Sequence, residues 1–278
     1  MAFWSMKVMK DLFRRDTTSS CFIAYPEKPM QMPMQPDNKA IYDANWDRWS
    51  DQKVYGPASR WLGWLVKETL GEIDRAAIKK VIDVGCGQGS MTAMIAAYLP
   101  AASVVGIDLS ETGIRAAQQS YSGPNLSYAV DTDSSSLESA TCDLTTCFEV
   151  LEHVEDWESM LERICGASRR YVILSFPTGR MRPFERVVGH VRNFERGQVE
   201  DFMHRNGFDD LRVRYAGFPF YSPLYRDFCN LMDAGHSNFA SGRYGLPQKI
   251  VSAVFFFMFR YLSSSRIGDQ FCGLFERR

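Results

Sequence analysis

Between residues 57 and 177 the chain alternates short apolar runs with longer segments whose apolar residues return every three or four positions. The first such segment, 57–70, brings Trp61, Leu62, Trp64, Leu65 and Leu70 to helical spacing and ends near Gly71. KKVIDV (79–84) then predicts a buried strand, followed by a glycine turn and a small-residue helix over 90–99. SVVGID (103–108) predicts a second strand with a helix over 110–120 behind it. LSYAVD (126–131) and CDLTTCFEV (142–150) predict a third and a fourth. A helix over 155–167 carries Trp157, Met160, Leu161 and Ile164, and YVILSF, stopping at Pro177, predicts a fifth strand. Strands and helices alternating over this length imply βαβ units, right-handed crossovers and a parallel sheet, hence an α/β fold.

The pattern changes after Pro177. Residues 196–206 predict a helix closed by Gly207, and LRVRYAGF (211–218) and DQFCGLFER (269–277) predict two more strands. The fifty residues between them, rich in aromatics and proline, are long for a connection inside a compact domain, and such insertions usually serve function as lids. Upstream, PEKPMQMPMQP (26–36) has four closely spaced prolines, which exclude helix and interior strand and predict an extended linker. The chain thus divides into an N-terminal arm and linker (1–52), a core (53–217), a cap insertion (218–268) and a last core strand (269–278).

The strongest chemical signal sits at the end of the first strand, in Asp83-Val84-Gly85-Cys86-Gly87-Gln88-Gly89. Gly85, Gly87 and Gly89 let the backbone turn tightly and approach a ligand with no Cβ in the way. Asp108, at the end of the second strand, can accept both hydroxyls of a ribose. Ser90 stands where a dinucleotide fingerprint would have its last glycine, and the Asp83 carboxylate would repel a pyrophosphate. It suits the ammonium of an amino-acid moiety, which S-adenosylmethionine (SAM) carries without any phosphate.

DVGCGQG resembles the first motif of the class I SAM-dependent methyltransferases, and the likeness extends over roughly 55–215 plus the final strand. The resemblance implies a Rossmann-like, doubly wound seven-stranded sheet whose last two strands run antiparallel, here under a helical, aromatic cap. It implies that Asp83, Gly85, Cys86, Gly87 and Gly89 surround the methionine part of SAM, that Asp108 holds the ribose, and that Leu109 and Asp131 face the adenine. It also brings Glu149 near SAM.

Glu149, Glu152 and His153 in FEVLEHV would share one helix face if a helix began by Glu149. Carboxylates with imidazole suit a divalent metal, and His190 in GHVRNF is the fourth candidate ligand. The segment resembles the ExxEH signature of ubiquinone-pathway O-methyltransferases and small-RNA 2′-O-methyltransferases, in which a later histidine completes a metal site. The residues leave three roles open: a metal site, metal-free base catalysis by His153, His190 or Glu149, and a structural glutamate–histidine pair.

For the acceptor, Tyr42, Trp46 and Tyr55 before the core and Phe218, Phe220, Tyr221 and Tyr225 in the cap can line an apolar pocket, or pack the cap on the sheet. IVSAVFFFMFRYL (250–262) reads as a buried cap helix, a subunit contact, or a surface for peripheral membrane contact or a lipid-like acceptor.

Charge and cysteines narrow the setting. A net charge of -1 carries no global pull toward nucleic acid, and residues 180–227 set nine arginines against seven acids. The seven cysteines are dispersed without CxxC, which suits a reducing compartment. The first sixteen residues make a poor signal peptide, and Val251 to Phe259 is about half of a membrane span. A cytoplasmic protein is expected. These readings converge on a methyltransferase acting on O, N or S of a small-molecule or lipid- or glycan-linked acceptor. The ExxEH segment keeps an RNA 2′-O-methyltransferase-like enzyme as an alternative, and the aromatic cap a non-catalytic SAM-binding interaction protein.

Overall fold

The computed structural model describes residues 51–132, 136–137, 141–231 and 243–278. Seven strands form one sheet: β1 (Lys80–Val84), β2 (Ser103–Asp108), β3 (Leu126–Val130), β4 (Cys142–Phe148), β5 (Ser168–Pro177), β6 (Phe208–Ala216) and β7 (Gln270–Arg277). Their order is β3-β2-β1-β4-β5-β7-β6. The first five pair in parallel, and β7 runs antiparallel to both β5 and β6. The fold class implied by the sequence is the one observed. The chain reverses its direction of sheet growth between β1 and β4, which opens a crevice at their carboxyl ends.

Alternation along the strands sorts the core onto two faces. Val81, Leu144, Tyr171 and Ile173 point to one side, where they pack with α1 (Pro57–Leu70) and α2 (Ser90–Tyr98) through Trp61, Leu65, Val66 and Ile95. Ile82, Cys147, Val172 and Leu174 point to the other, against Trp157, Leu161 and Ile164 of α4 (Trp157–Ala167) and Phe202 and Met203 of α6 (Gln198–Arg205). Side-chain caps mark where helices begin. Ser110 accepts from Gly113 N at 3.0 Å to start α3 (Glu111–Ser120), and Asp156 Oδ1 accepts from Ser159 N at 3.2 Å to start α4.

Two strands begin earlier than apolar patterning predicts. β5 includes Ser168 to Arg170 because they continue the pairing with β4, and β6 starts at Phe208 on the edge of the sheet, where polar residues face solvent. The stretch after β5 adds a short helix α5 (Pro183–Val187). The described cap comprises an irregular wide turn, Phe220–Tyr225, then α7 (Arg226–Leu231), α8 (Leu246–Phe257) and a wide turn Met258–Leu262. Tyr221 joins it to α1, with its ring centroid 4.6 Å from that of Trp61. An ionic group, buried at Arg182, Glu185 and Arg226 and partly exposed at Asp227, fixes the other flank. Arg226 bonds Glu185, Arg182 Nε donates to Asp227 at 2.6 Å, and Asn193 Nδ2 donates to Glu185 at 3.1 Å. None of the described helices is long and apolar enough to cross a membrane.

Candidate functional site

The loop after β1 turns through three glycines of positive φ, and packing inside the protein accounts for two of them. A Cβ on Gly85 (φ 71°) would stand 2.3 Å from Val150 Cγ2, and one on Gly89 (φ 79°) 2.6 Å from the Tyr128 hydroxyl. The amides of Gly85 and Cys86 donate to Ile107 O at 2.8 and 3.0 Å, which ties the loop to β2. Asp108 completes that tie. Its Oδ2 accepts from Gly87 N and its Oδ1 from Ser110 N, both at 2.8 Å. Asp131 follows β3 alongside, its amide donating to Asp108 O at 2.9 Å, and Leu109 stands exposed between them.

Asp83 is buried beneath this loop, where it accepts from Thr92 Oγ1 at 2.6 Å and from Thr146 Oγ1 at 2.7 Å. Burial pushes its carboxyl up to about 6, against the pull of the two hydroxyls. Burial also raises the Cys86 thiol far above its ordinary range, which leaves it an inert packing group.

No helix begins at Glu149, so the condition for a shared helix face is not met. Glu149 has φ 56°, the one positive value among described non-glycine residues, and a single tight turn, Leu151–His153, follows it. Glu149, Glu152 and His153 therefore do not share a helix face. The Glu149 carboxylate instead accepts from Ser175 Oγ at 2.9 Å and from Gln270 Nε2 at 2.8 Å, while Gln270 Oε1 accepts from the Tyr221 hydroxyl at 3.0 Å. Burial raises the Glu149 pKa, opposed by these two donors and by Lys53.

His190 does reach the turn. Its ring meets that of His153 edge to face, centroids 4.5 Å apart, and Glu152 Oε1 lies 4.0 Å from His153 Nε2. One ligand atom from each of Glu152, His153 and His190 falls within 4.8 Å of the others, a group that does not include Glu149. Glu152 is fully buried, and neither of its carboxyl oxygens has a hydrogen-bond partner; His190 Nδ1 also lacks one. Burial, then the neighbouring Glu149 charge, drives the Glu152 pKa well up. Burial lowers His153 to about 3 and His190 to about 4, so both imidazoles are neutral near pH 7.

These groups share one cavity of about 1450 Å³. It is lined by Asp83, Gly85, Cys86, Gly87, Asp108, Leu109 and Asp131, by Glu149, Glu152, His153 and His190, and by Tyr221 and Tyr225. Three expected acceptor residues fall elsewhere. Phe218 is exposed, Phe220 packs against the core beside α1, and Tyr55 stacks on Tyr244 under Lys249. Gly89 shapes the loop without lining the cavity. Tyr42 and Trp46 lie outside the described residues.

Periodicity marked Trp61 and Trp64 only as core, yet both line the cavity. Lys53 and Gln270 carried no sequence signal, because nothing local foretells that the first turn of the core and the first residue of β7 meet at one site. Lys53 is open to the solvent of the cavity, and enclosure by its walls lowers the ammonium pKa against the attraction of Glu149, Glu152 and Asp108.

A family model described as a methyltransferase domain matches residues 81–170. The ubiquinone biosynthesis O-methyltransferase of Bordetella parapertussis is 38% identical over 110 residues, 38% of this chain and 43% of that protein. The protein of the same name from Pseudomonas putida is 35% identical over 130 residues, 45% of this chain and 55% of its own. The chain spans about half the length of the curated relatives it matches. Among solved structures, magnesium protoporphyrin IX methyltransferase from Synechocystis PCC 6803, with bound S-adenosylhomocysteine, is similar at a TM-score of 0.54 and 16% identity, over 86% of this chain and 100% of that one. Phosphoethanolamine N-methyltransferase 2 from Haemonchus contortus, in complex with SAM, has a TM-score of 0.54 at 15% identity, over 88% of this chain and 58% of its own. At these identities the likeness is one of fold.

Proposed function

Because the chain carries a class I SAM-dependent methyltransferase domain, we propose that it transfers the methyl group of SAM to O, N or S of a small-molecule or lipid- or glycan-linked acceptor. The observation that carries the proposal is the single cavity lined by Asp108, the His153–His190 pair, Tyr221 and Tyr225 together. Ordinary ligand pockets measure roughly 300–1,000 Å³. At about 1450 Å³ this one has room for a cofactor and an acceptor together.

In this reading Gly85, Cys86 and Gly87 let the methionine end approach the backbone, with Asp83 facing its ammonium. Asp108 takes the ribose hydroxyls in place of the Gly87 amide, and Leu109 and Asp131 flank the adenine. The sulfonium is already activated, so the reaction is an in-line displacement: the acceptor lone pair bonds to the methyl carbon, the carbon–sulfur bond breaks, and S-adenosylhomocysteine leaves. Alignment and exclusion of water supply most of the rate. The aromatic wall formed by Tyr221 and Tyr225 supports both.

A protonated acceptor also has to lose a proton. His153 and His190 are neutral near pH 7 and can accept it, but imidazoles lowered to about 3 and 4 are weak bases. With Glu152, the two histidines fit a divalent cation better. Two neutral imidazoles and a carboxyl oxygen lie within 4.8 Å, and the buried Glu152 carboxyl has no other partner. Glu152, His153 and His190 would hold the ion, which when bound supplies Lewis acidity that lowers the pKa of an acceptor hydroxyl. Glu149, held by Ser175 and Gln270, would stand beside this set and face the acceptor.

The test is calorimetric titration with S-adenosylhomocysteine, with and without chelator, on the wild type and Asp108→Ala. Micromolar binding lost in the variant is expected, and absence of binding to the wild type would sink the cofactor assignment.

A further inference from the structure

Helix α8 is apolar on two sides. Ser252, Phe255 and Phe256 look into the cavity, and Phe259 in the turn that follows is buried against α1. The remaining side is also apolar, and it is bare. Leu246, Ile250, Val254, Phe257 and Tyr261, spaced by three or four residues, are 73%, 55%, 56%, 53% and 58% exposed. A helix covering a core ordinarily turns its polar residues outward, so this stripe needs a partner.

Charge indicates what the partner is. From residue 243 to 268 the chain holds Arg243, Lys249, Arg260 and Arg266 and not one Asp or Glu. Lys249 and Arg260 lie over the rings of Tyr55 and Trp64, at 4.1 and 5.4 Å, and so flank the stripe without a carboxylate. A second copy of the chain meeting this face about a two-fold axis would set the same group of cations against this one, with no acid of the segment to offset them. An apolar strip with basic flanks matches an anionic bilayer surface, which takes the apolar side chains among its acyl chains and the cations among its headgroups. At 12 residues α8 can lie in that interface and cannot cross it.

We propose that the outer face of α8 and of the turn after it docks this protein on anionic membranes. The same helix walls the cavity through Val251, Phe255, Phe256 and Arg260. Docking therefore places the acceptor half of the cavity against lipid, and an acceptor with a hydrocarbon tail can enter without crossing water.

Vesicle co-sedimentation of the full chain tests the proposal without SAM or acceptor, so its outcome is independent of the methyltransferase reading. The wild type should bind phosphatidylcholine vesicles containing phosphatidylglycerol at least tenfold more tightly than pure phosphatidylcholine ones, with binding weakened by added salt. The triple variant Ile250→Asp, Val254→Asp, Phe257→Asp should lose that binding while keeping its S-adenosylhomocysteine affinity and circular dichroism spectrum, since none of the three lines the cavity. Lys249→Glu with Arg260→Glu should remove the preference for anionic lipid. Equal binding to both vesicles, or unchanged binding of the triple variant, would overturn the proposal. So would a wild-type dimer in light scattering that the triple variant dissolves.

Discussion

The imidazoles of His153 and His190 meet edge to face, centroids 4.5 Å apart, although one follows β4 and the other follows α5. The backbone keeps them there. The amides of Val191 and Arg192 both donate to Glu152 O, at 2.9 and 3.4 Å, and clamp the second histidine's loop onto the first one's turn. A rigid pair of neutral imidazoles beside an unpartnered buried carboxyl is arranged to receive something.

That arrangement predicts a divalent ion. Mn²⁺ or Zn²⁺ should bind the purified protein and raise its melting temperature, and His190→Ala should weaken the binding at least tenfold. The proton count adds a second check. Both imidazoles are already neutral, whereas burial raises the Glu152 carboxyl well above its ordinary range, so any proton released on binding should come from Glu152. Calorimetry in buffers of different ionisation enthalpy reads that number directly. A protein indifferent to both ions would make the trio a structural contact.

Asp108 predicts a graded loss. It holds Gly87 N and Ser110 N, and in the complex it would hold two ribose hydroxyls. Hydrogen bonds to a charged group are worth about 1.5–3 kcal/mol, so Asp108→Ala should lower S-adenosylhomocysteine affinity roughly tenfold to over a hundredfold. Asp108→Asn keeps one acceptor and should lose less. Equal affinities for all three proteins, measured by calorimetry, would place the nucleoside elsewhere.

The sheet and the glycine-loop part of the candidate site were legible because each depends on local chemistry. Apolar alternation set the strands, and Asp83, three glycines and Asp108 occupy consecutive strand ends by sequence position alone. The rest of the cavity was not, since it is assembled from distant segments. Gln270 matters only because β7 inserts beside β5 and brings it under Glu149. A helix from Glu149, the condition for one shared face, is excluded for a physical reason: its carboxylate is drawn to Ser175 and Gln270 with the backbone at positive φ, and the chain recovers in one turn at 151–153. Aromatic density pointed to the cap as a whole, but could not separate Tyr221 and Tyr225, which line the cavity, from Phe218 and Phe220, which do not.

Asp83 predicts opposite responses of stability and binding. Its carboxyl titrates at about 6 in the folded protein against 3.8 as a free group. The folded state therefore binds the extra proton between those values, and ionising Asp83 costs stability as pH rises through about 6. Asp83→Asn removes that cost. It should be more stable than the wild type at pH 8, by at most about 3 kcal/mol, with the difference vanishing toward pH 4. Affinity for S-adenosylhomocysteine should move the other way. The wild type should bind more weakly below pH 6 as the carboxylate facing the ammonium is protonated, and the variant should bind weakly throughout. Chemical denaturation and calorimetry across pH 4–8 check both, and parallel changes would remove Asp83 from the ammonium.

Gln270 predicts a change that separates positioning from packing. Its amide has a fixed orientation, with Oε1 accepting from Tyr221 and Nε2 donating to Glu149. Gln270→Leu orphans the Tyr221 hydroxyl inside the protein, at about 1–3 kcal/mol, and leaves Glu149 with Ser175 as its donor, so the melting temperature should fall and Glu149 should lose part of its alignment. Gln270→Glu is the sharper variant. It keeps an acceptor for the Tyr221 hydroxyl but sets a second carboxyl against Glu149, whose pKa burial has already raised. Two carboxyls at that distance share a proton, so the acidic limb of the activity profile should move to higher pH while S-adenosylhomocysteine affinity stays unchanged. A profile that falls in height without moving would mean that Gln270 only packs, and that Glu149 takes no part in the acceptor's chemistry.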